Sequence, residues 1–176
     1  MEGRFLQATA LPELESDCRA AGASGVSAVI LADGPLGDAV VLAAALGQSS
    51  SLTMGILVDL THEAHRHPTV LARELTTLDH VCPGRTLVAF SAPHGVEVHE
   101  AIRICRAMWR NGDVSSVGPI YPVPGAINLP IPPTADSPKV ALDLRGGGEV
   151  PAGLRSLVDY LLLPTDDPAV CLMQPT

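Results

Sequence analysis

Aromatic side chains make up only 3% of this 176-residue chain, and Lys139 is its single lysine among 11 basic residues. So few rings oblige any core to be built from Ala, Val, Leu and Ile, which suits helices packed closely on a sheet. Charged residues are also sparse, 17% against 47% hydrophobic, and that balance excludes a disordered chain. Basic charge is in deficit. The net charge is −8, and phosphate binding needs a basic surface, so nucleic acid is not an expected partner. No stretch approaches the roughly 18 apolar residues of a membrane span. Met1 to Ala10 lacks the apolar core of a signal peptide, so a cytoplasmic protein with no membrane partner is expected. The cysteines Cys18, Cys82, Cys105 and Cys171 form no CxxC pair and read as reduced, small hydrophobes, three of them on helices or strands.

What is present is an alternation. Pro12 to Ala21 has Leu14, Cys18 and Ala21 on one helical face, and Gly22 and Gly25 end it. Val26 to Ala32 is a nearly all-apolar run, as for a strand covered on both faces. A helix capped by Asp38 runs to Gly47, and Leu52 to Leu60 is a second buried strand. Pro68 to Asp79 predicts a helix, Thr86 to Phe90 a strand, and Val98 to Arg110 an amphipathic helix. Gly112 to Pro138 is rich in proline and cannot be helical; its apolar residues predict an ordered excursion. Lys139 to Leu144 reads as a strand, Pro151 to Tyr160 as a short helix, and Leu161 to Leu163 and Ala169 to Met173 as last strands. Such alternation means βαβ units and a parallel sheet in one domain, residues 1–176. Eight units need about 250 residues, so the expectation is an open doubly wound sheet or an incomplete TIM-like (β/α) barrel.

Several residues invite a chemical reading. Thr61-His62-Glu63-Ala64-His65-Arg66-His67 looks metal-like, but HExH does not place two imidazoles one helical turn apart, and no metal is expected. Arg66 precedes a helix start and suits either an anion site or, better, a structural salt bridge. Asp33 and Asp59 end strands, where short polar residues make turns or serve a site. Gly146-Gly147-Gly148 follows a strand, yet it lacks GxGxxG spacing and reads first as a flexible turn.

Six segments, in order, resemble the bacterial-luciferase-like family of flavin- or deazaflavin-dependent oxidoreductases. They are Ala20-Ala21-Gly22 with Val26 to Asp33; Leu52 to Val58; Arg66-His67-Pro68 through Glu74 with Thr77-Leu78-Asp79 and Gly84-Arg85; Glu100 to Ile104 with Met108-Trp109; Gly118 to Tyr121 with Leu129 to Pro133; and Pro138 to Leu142. The third is similar to the family's "RhP..lAre.atLD.ls.GR" almost position for position. The resemblance implies barrel ancestry, with a flavin mononucleotide (FMN) or deazaflavin coenzyme across the carboxyl ends of the strands. On that implication Asp33, Leu57, Val58, Asp59, Ser91, Arg145 and Gly146 would contact the cofactor, and His94 and His67 would be catalytic. Family members often have a non-proline cis peptide where Leu57-Val58 sits.

The departures from the family are specific. Gly34, not histidine, follows Asp33, and Ser91-Ala92-Pro93-His94 replaces a glycine-rich strand end, with Phe90 adding bulk near the ring. His94 stands where some members carry an acidic proton donor, and the later units that hold the cofactor phosphate are missing. The resemblance therefore implies a truncated monooxygenase-like oxidoreductase of reduced or lost activity; the alternative is a non-catalytic flavin-binding or partner-binding remnant that binds no cofactor or merely holds one. A small-molecule substrate belongs to the first. A homodimer is expected on both readings, because an unclosed sheet exposes strand edges.

Overall fold

The central apolar runs pair as strands, and helices pack on the outside of the sheet they form. The computed structural model describes residues 1–6, 10–61, 66–91, 95–150 and 153–176, with the backbone alone for 116–117. In chain order the elements are β1 (Glu2–Phe5), α1 (Leu11–Ala23), β2 (Ala28–Ala32), α2 (Ala39–Gly47), β3 (Thr53–Asp59), α3 (Pro68–Val81) and β4 (Thr86–Ser91). They continue with α4 (Val96–Asn111), β5 (Asp113–Val117), β6 (Pro122–Ile127), β7 (Lys139–Asp143), β8 (Tyr160–Pro164) and β9 (Val170–Pro175). Local chemistry sets the helix ends. The Asp38 carboxylate accepts from the N–H of Val40 and Val41 to start α2. Pro68 opens α3, where its missing N–H costs nothing. Gly112, at φ 72°, ends α4 in the left-handed conformation.

The sheet closes. Strand order is β1-β2-β3-β4-β7-β8-β9, and β9 runs antiparallel between β8 and β1. The remaining neighbours are parallel. The expectation of an incomplete barrel is thus corrected: the architecture is a small closed TIM-like barrel, mostly parallel. Two features produce closure. Glu2–Phe5 is a strand that the sequence reading passed over, because four residues with Gly3 and Arg4 inside make no apolar run. The C-terminal run then turns back antiparallel and supplies the missing seam. The barrel's strand edges are paired within the chain, so an unclosed barrel no longer argues for a dimer. A further correction concerns Pro151 to Tyr160: within its described part, one 3₁₀ turn (Arg155–Leu157) replaces the helix.

Side chains alternate between two cores. The outer core, between sheet and helices, takes Val29, Ile56, Val58, Val88, Phe90 and Val140 against helix residues such as Leu71, Leu75, Ile102 and Met108. The barrel interior takes Ala28, Ile30, Leu87, Ala89, Ala141, Leu162, Cys171 and Met173. A seven-stranded barrel is narrow, so its interior mixes small residues (Ala28, Ala89, Ala141, Cys171) with a few large ones (Ile30, Leu87, Leu162, Met173). A Cβ on Gly55 would lie 2.9 Å from Ile30 Cγ1. In the excursion from Gly112, β5 and β6 form a separate antiparallel ribbon; of its apolar residues Tyr121 and Val123 are buried, while Ile120, Ile127, Leu129 and Ile131 are exposed. Its return is pinned by Asn128, whose amide donates to Thr76 Oγ1 at 2.9 Å and to the Met108 carbonyl at 3.3 Å.

Candidate functional site

The carboxyl ends of the parallel strands form the mouth of the barrel. Strand alternation aims Phe5, Ala32, Leu57, Ser91 and Asp143 at this end of the interior. Register sets Asp59 beside Ser91 and Ser91 beside Asp143, so the rim carries a polar arc across β3, β4 and β7. Beside that arc lies a cavity of about 440 Å³, within the roughly 300–1,000 Å³ usual for small-molecule sites. Its floor is Phe5, Ile30, Ala32 and Leu57; Arg145, Pro168 and Ala169 form the rim, and Arg4 and Asp17 lie toward α1.

Arg145 dominates the mouth. Its guanidinium carbon lies 3.3 Å from the centroid of the Phe5 ring. Nε donates to Asp143 Oδ1 and Nη2 to Asp143 Oδ2, each at 2.9 Å. Nη1 donates to the Pro168 carbonyl at 3.4 Å. The backbone N–H of Arg145 also reaches Asp143 Oδ1, at 3.0 Å, which fixes the turn after β7. That turn continues through Gly147 (φ 84°) and Gly148 (φ 119°), a conformation in which side chains are disfavoured. Gly146 and Gly147 face open space.

The sequence-derived residues separate on this geometry. Leu57 and Arg145 meet at the cavity, and Gly146 is in the adjoining turn. Ser91 and Asp59 are on the polar arc; Asp59 accepts from Thr61 N at 2.8 Å and Thr61 Oγ1 at 2.6 Å, closing a turn. Val58 packs in the outer core, 6% exposed, so its side chain faces the helices. Phe90 does the same, which corrects the expectation that it crowds the ring. The Leu57–Val58 peptide is trans; the cis bonds among the described residues precede Pro130 and Pro138. His67 caps α3, its Nδ1 accepting from Thr69 N at 3.3 Å, and its ring meets Tyr121 edge-on at 5.5 Å. His94, His62 and His65 lie outside the described residues. Among those described, no group of three or more His, Cys, Asp or Glu is placed to hold a metal.

Asp33 belongs to a charge network on the outer rim. It accepts from Ala39 N at 2.8 Å and pairs with Arg66 at 2.7 Å, while Arg66 also pairs with Asp38 and, at 2.9 Å, with Glu74. Burial opposes the charge on Arg66, but the hydrogen bonds to Asp33 and Asp38 outweigh it and raise its pKa. Burial pushes the Glu74 carboxyl up; Arg66 offsets part of this, and the charges of Asp38 and Asp33 add to it. Asp38 is held down: burial is outweighed by Arg66 and the N–H groups of Val41 and Val40. This is the structural salt bridge anticipated for Arg66. The rest of that motif is structural too. Arg85 donates to the carbonyls of Ser50, Leu52 and Gly47, and Asp79 accepts from Gly84 N and the Ser137 hydroxyl.

Sequence reasoning missed Phe5, Ile30, Ala32 and the β8–β9 loop as lining. The available signal was Phe5 itself, one of two phenylalanines, two residues beyond Gly3 on the same strand face.

This fold has counterparts among solved structures. EDTA monooxygenase (EmoA) from Chelativorans sp. BNC1 aligns at TM-score 0.65 and 17% identity, over 86% of this chain and 46% of that one. DmoA from Hyphomicrobium sulfonivorans aligns at 0.66 and 14%, over 89% and 46%. The oxygenating constituent of 3,6-diketocamphane monooxygenase from Pseudomonas putida, a type II Baeyer-Villiger monooxygenase solved with FMN, aligns at 0.57 and 15%, over 76% and 46%. The chain shares the fold of part of these proteins. It spans about half their length. No family model matches it, and no curated protein does. No helix among the described residues is long and apolar enough to cross a membrane.

Proposed function

We propose that this chain is a flavin-binding barrel of the bacterial-luciferase-like oxidoreductase type, which holds an FMN-class cofactor at the carboxyl ends of its strands. The observation that carries the reading is the mouth cavity: an apolar floor of Phe5, Ile30, Ala32 and Leu57 under an arginine rim. A flat ring system requires such a floor, and its phosphate-bearing tail requires cations and free N–H groups. Arg145 and Arg4 are suited to the second need, beside a turn with open space at Gly146 and Gly147, although the Gly147 N–H is itself spent on the Leu144 carbonyl. When bound, a flavin supplies hydride or oxygen chemistry, and the protein supplies orientation and a dry pocket. Leu57 and Ala32 exclude water from beneath a ring; Ser91, between Asp59 and Asp143, offers a hydroxyl at its edge.

The deciding measurement is FMN fluorescence titrated with the purified protein, in parallel with a deazaflavin coenzyme. Saturable quenching by wild type, lost in Leu57→Arg with the circular-dichroism spectrum retained, supports the site. Absence of quenching with either coenzyme overturns it.

Activity as a monooxygenase is the finer part of the proposal. His94 is its proton-handling residue by sequence position, three residues after β4, and His67 its second candidate. His94→Ala should lower turnover of a small-molecule substrate far more than FMN affinity; unchanged turnover overturns that role. One observation favours the non-catalytic alternative. The carboxylates at the described strand ends are committed, Asp33 to Arg66, Asp59 to its turn and Asp143 to Arg145. Reduced FMN consumed with oxygen at the rate of the protein-free blank would decide for that alternative. A homodimer stays in the proposal on the strength of exposed Ile127 and Leu129 on the excursion, not of open strands. Sedimentation of a stable monomer at micromolar concentration would remove it.

A further inference from the structure

We infer that Arg145 is a displaceable latch across the barrel mouth, and that it makes the cavity select flat ligands with an anionic edge. The inference rests on the ring site proposed above and deepens it by naming the ligand class. Three observations carry it.

The first is position. The guanidinium carbon lies over the Phe5 ring, 3.3 Å from its centroid, and Phe5 is part of the floor on which an incoming ring would stack. A flat ligand and the guanidinium therefore compete for one aromatic face. The second is how the latch is held. Its fastenings are one carboxylate two residues away, Asp143, and one long hydrogen bond to the Pro168 carbonyl. Asp143 itself is nearly buried, its side chain 8% exposed, so the fixed end of the pair is the acid and the movable end is the arginine, 24% exposed. The adjoining glycine turn has empty space above Gly146 and Gly147 into which the side chain can swing. The third is charge. Among the described residues these contacts leave one N–H on each of Nη1 and Nη2 for a ligand. An anionic edge gains those donors in place of the stacking it displaces, whereas a neutral ring loses the cation from Phe5 and recovers only its own stacking.

The latch predicts effects of opposite sign in one variant. With the full chain, three probes are titrated by fluorescence: lumiflavin (uncharged and flat), 2-naphthoate (flat and anionic) and 2-naphthamide (its neutral counterpart). Wild type should prefer 2-naphthoate to 2-naphthamide. Arg145→Ala should bind lumiflavin about tenfold more tightly, the order expected for removing one partly exposed cation–π contact, and bind 2-naphthoate about tenfold more weakly. Arg145→Gln keeps the length of the side chain without its charge and should lose the preference for the anion. Both probes weakened alike would show a structural role and overturn the latch. A weaker anion with lumiflavin unchanged would show an ordinary anion contact and also overturn it. Where lumiflavin and FMN bind neither wild type nor Arg145→Ala while the naphthoate preference depends on Arg145, the cofactor reading falls and the selection of anions stands. Where flavins bind and Arg145 changes nothing, the reverse holds. Absence of binding by all three probes overturns both.

Discussion

Glu100, on the inner side of α4, closes its carboxylate on the backbone N–H of Tyr121 at 3.0 Å and on that of Ile120 at 3.1 Å. One buried acid, 8% exposed, thereby fastens the turn between β5 and β6 to the barrel's helix layer. The turn can come this close only because residue 118 is glycine; a Cβ there would overlap the Glu100 carboxylate. Glu100→Ala should cost about 1–3 kcal/mol, since it strands buried donors. Gly118→Ala should cost a similar ~1–3 kcal/mol by overpacking. Urea unfolding checks both, and a change in Glu100→Ala below 0.5 kcal/mol on that scale (roughly the noise of surface substitutions) would refute the clamp.

Arg66 faces three carboxylates, Asp33, Asp38 and Glu74. Arg66→Met should destabilise the protein at pH 7 by roughly 1–3 kcal/mol, less than a fully buried pair because Asp33 and Asp38 are well exposed. The loss should shrink on acidification, as protonation relieves the repulsion. The signs differ within the cluster. Asp38, whose pKa is lowered, contributes stability above its ordinary 3.8 that disappears as pH falls. Glu74, whose pKa is raised, favours the fold below its ordinary 4.5 and withdraws that stability as pH rises. Thermal unfolding of both proteins from pH 3 to 8 checks this, and a gap that widens toward low pH would contradict it.

The four cysteines are buried and unpaired. Burial pushes the Cys105 thiol up to about 12 and the Cys171 thiol to about 11. Neither forms the reactive thiolate near neutral pH. A thiol reagent at pH 8 should label none rapidly in the native protein and all four after denaturation. Above the ordinary thiol value of 9.0 the unfolded chain ionises first, so stability should decline with rising pH. Fast native labelling would place a cysteine at the surface.

Asn128 ties the proline-rich return to α3 and α4 from a buried position, 2% exposed. Asn128→Ala should release the segment from Gly112 to Pro138, and limited proteolysis should then cut there while wild type resists. Equal cleavage rates would show that the prolines and Glu100 suffice.

The periodicity of the chain was enough for the helices at Pro12, Asp38, Pro68 and Val98 and for the central strands, because an apolar stripe or a two-face apolar run is a local property. Turn and cap chemistry was local as well: Asp38 and Pro68 lie where their side chains say. The motif from Arg66 to Arg85 was legible as family likeness, but its work turned out to be structural, in Asp79 and Arg85 holding backbone and Arg66 holding carboxylates. Closure, the mouth and the latch were decided only by tertiary structure. Pairing of β1 with β9 joins residues about 168 positions apart, as in the Cys171 thiol reaching the Gly3 carbonyl. The same closure brings Phe5 beneath Arg145. Neither contact leaves a trace in sequence spacing, since barrel shape, not local periodicity, sets which strand ends meet.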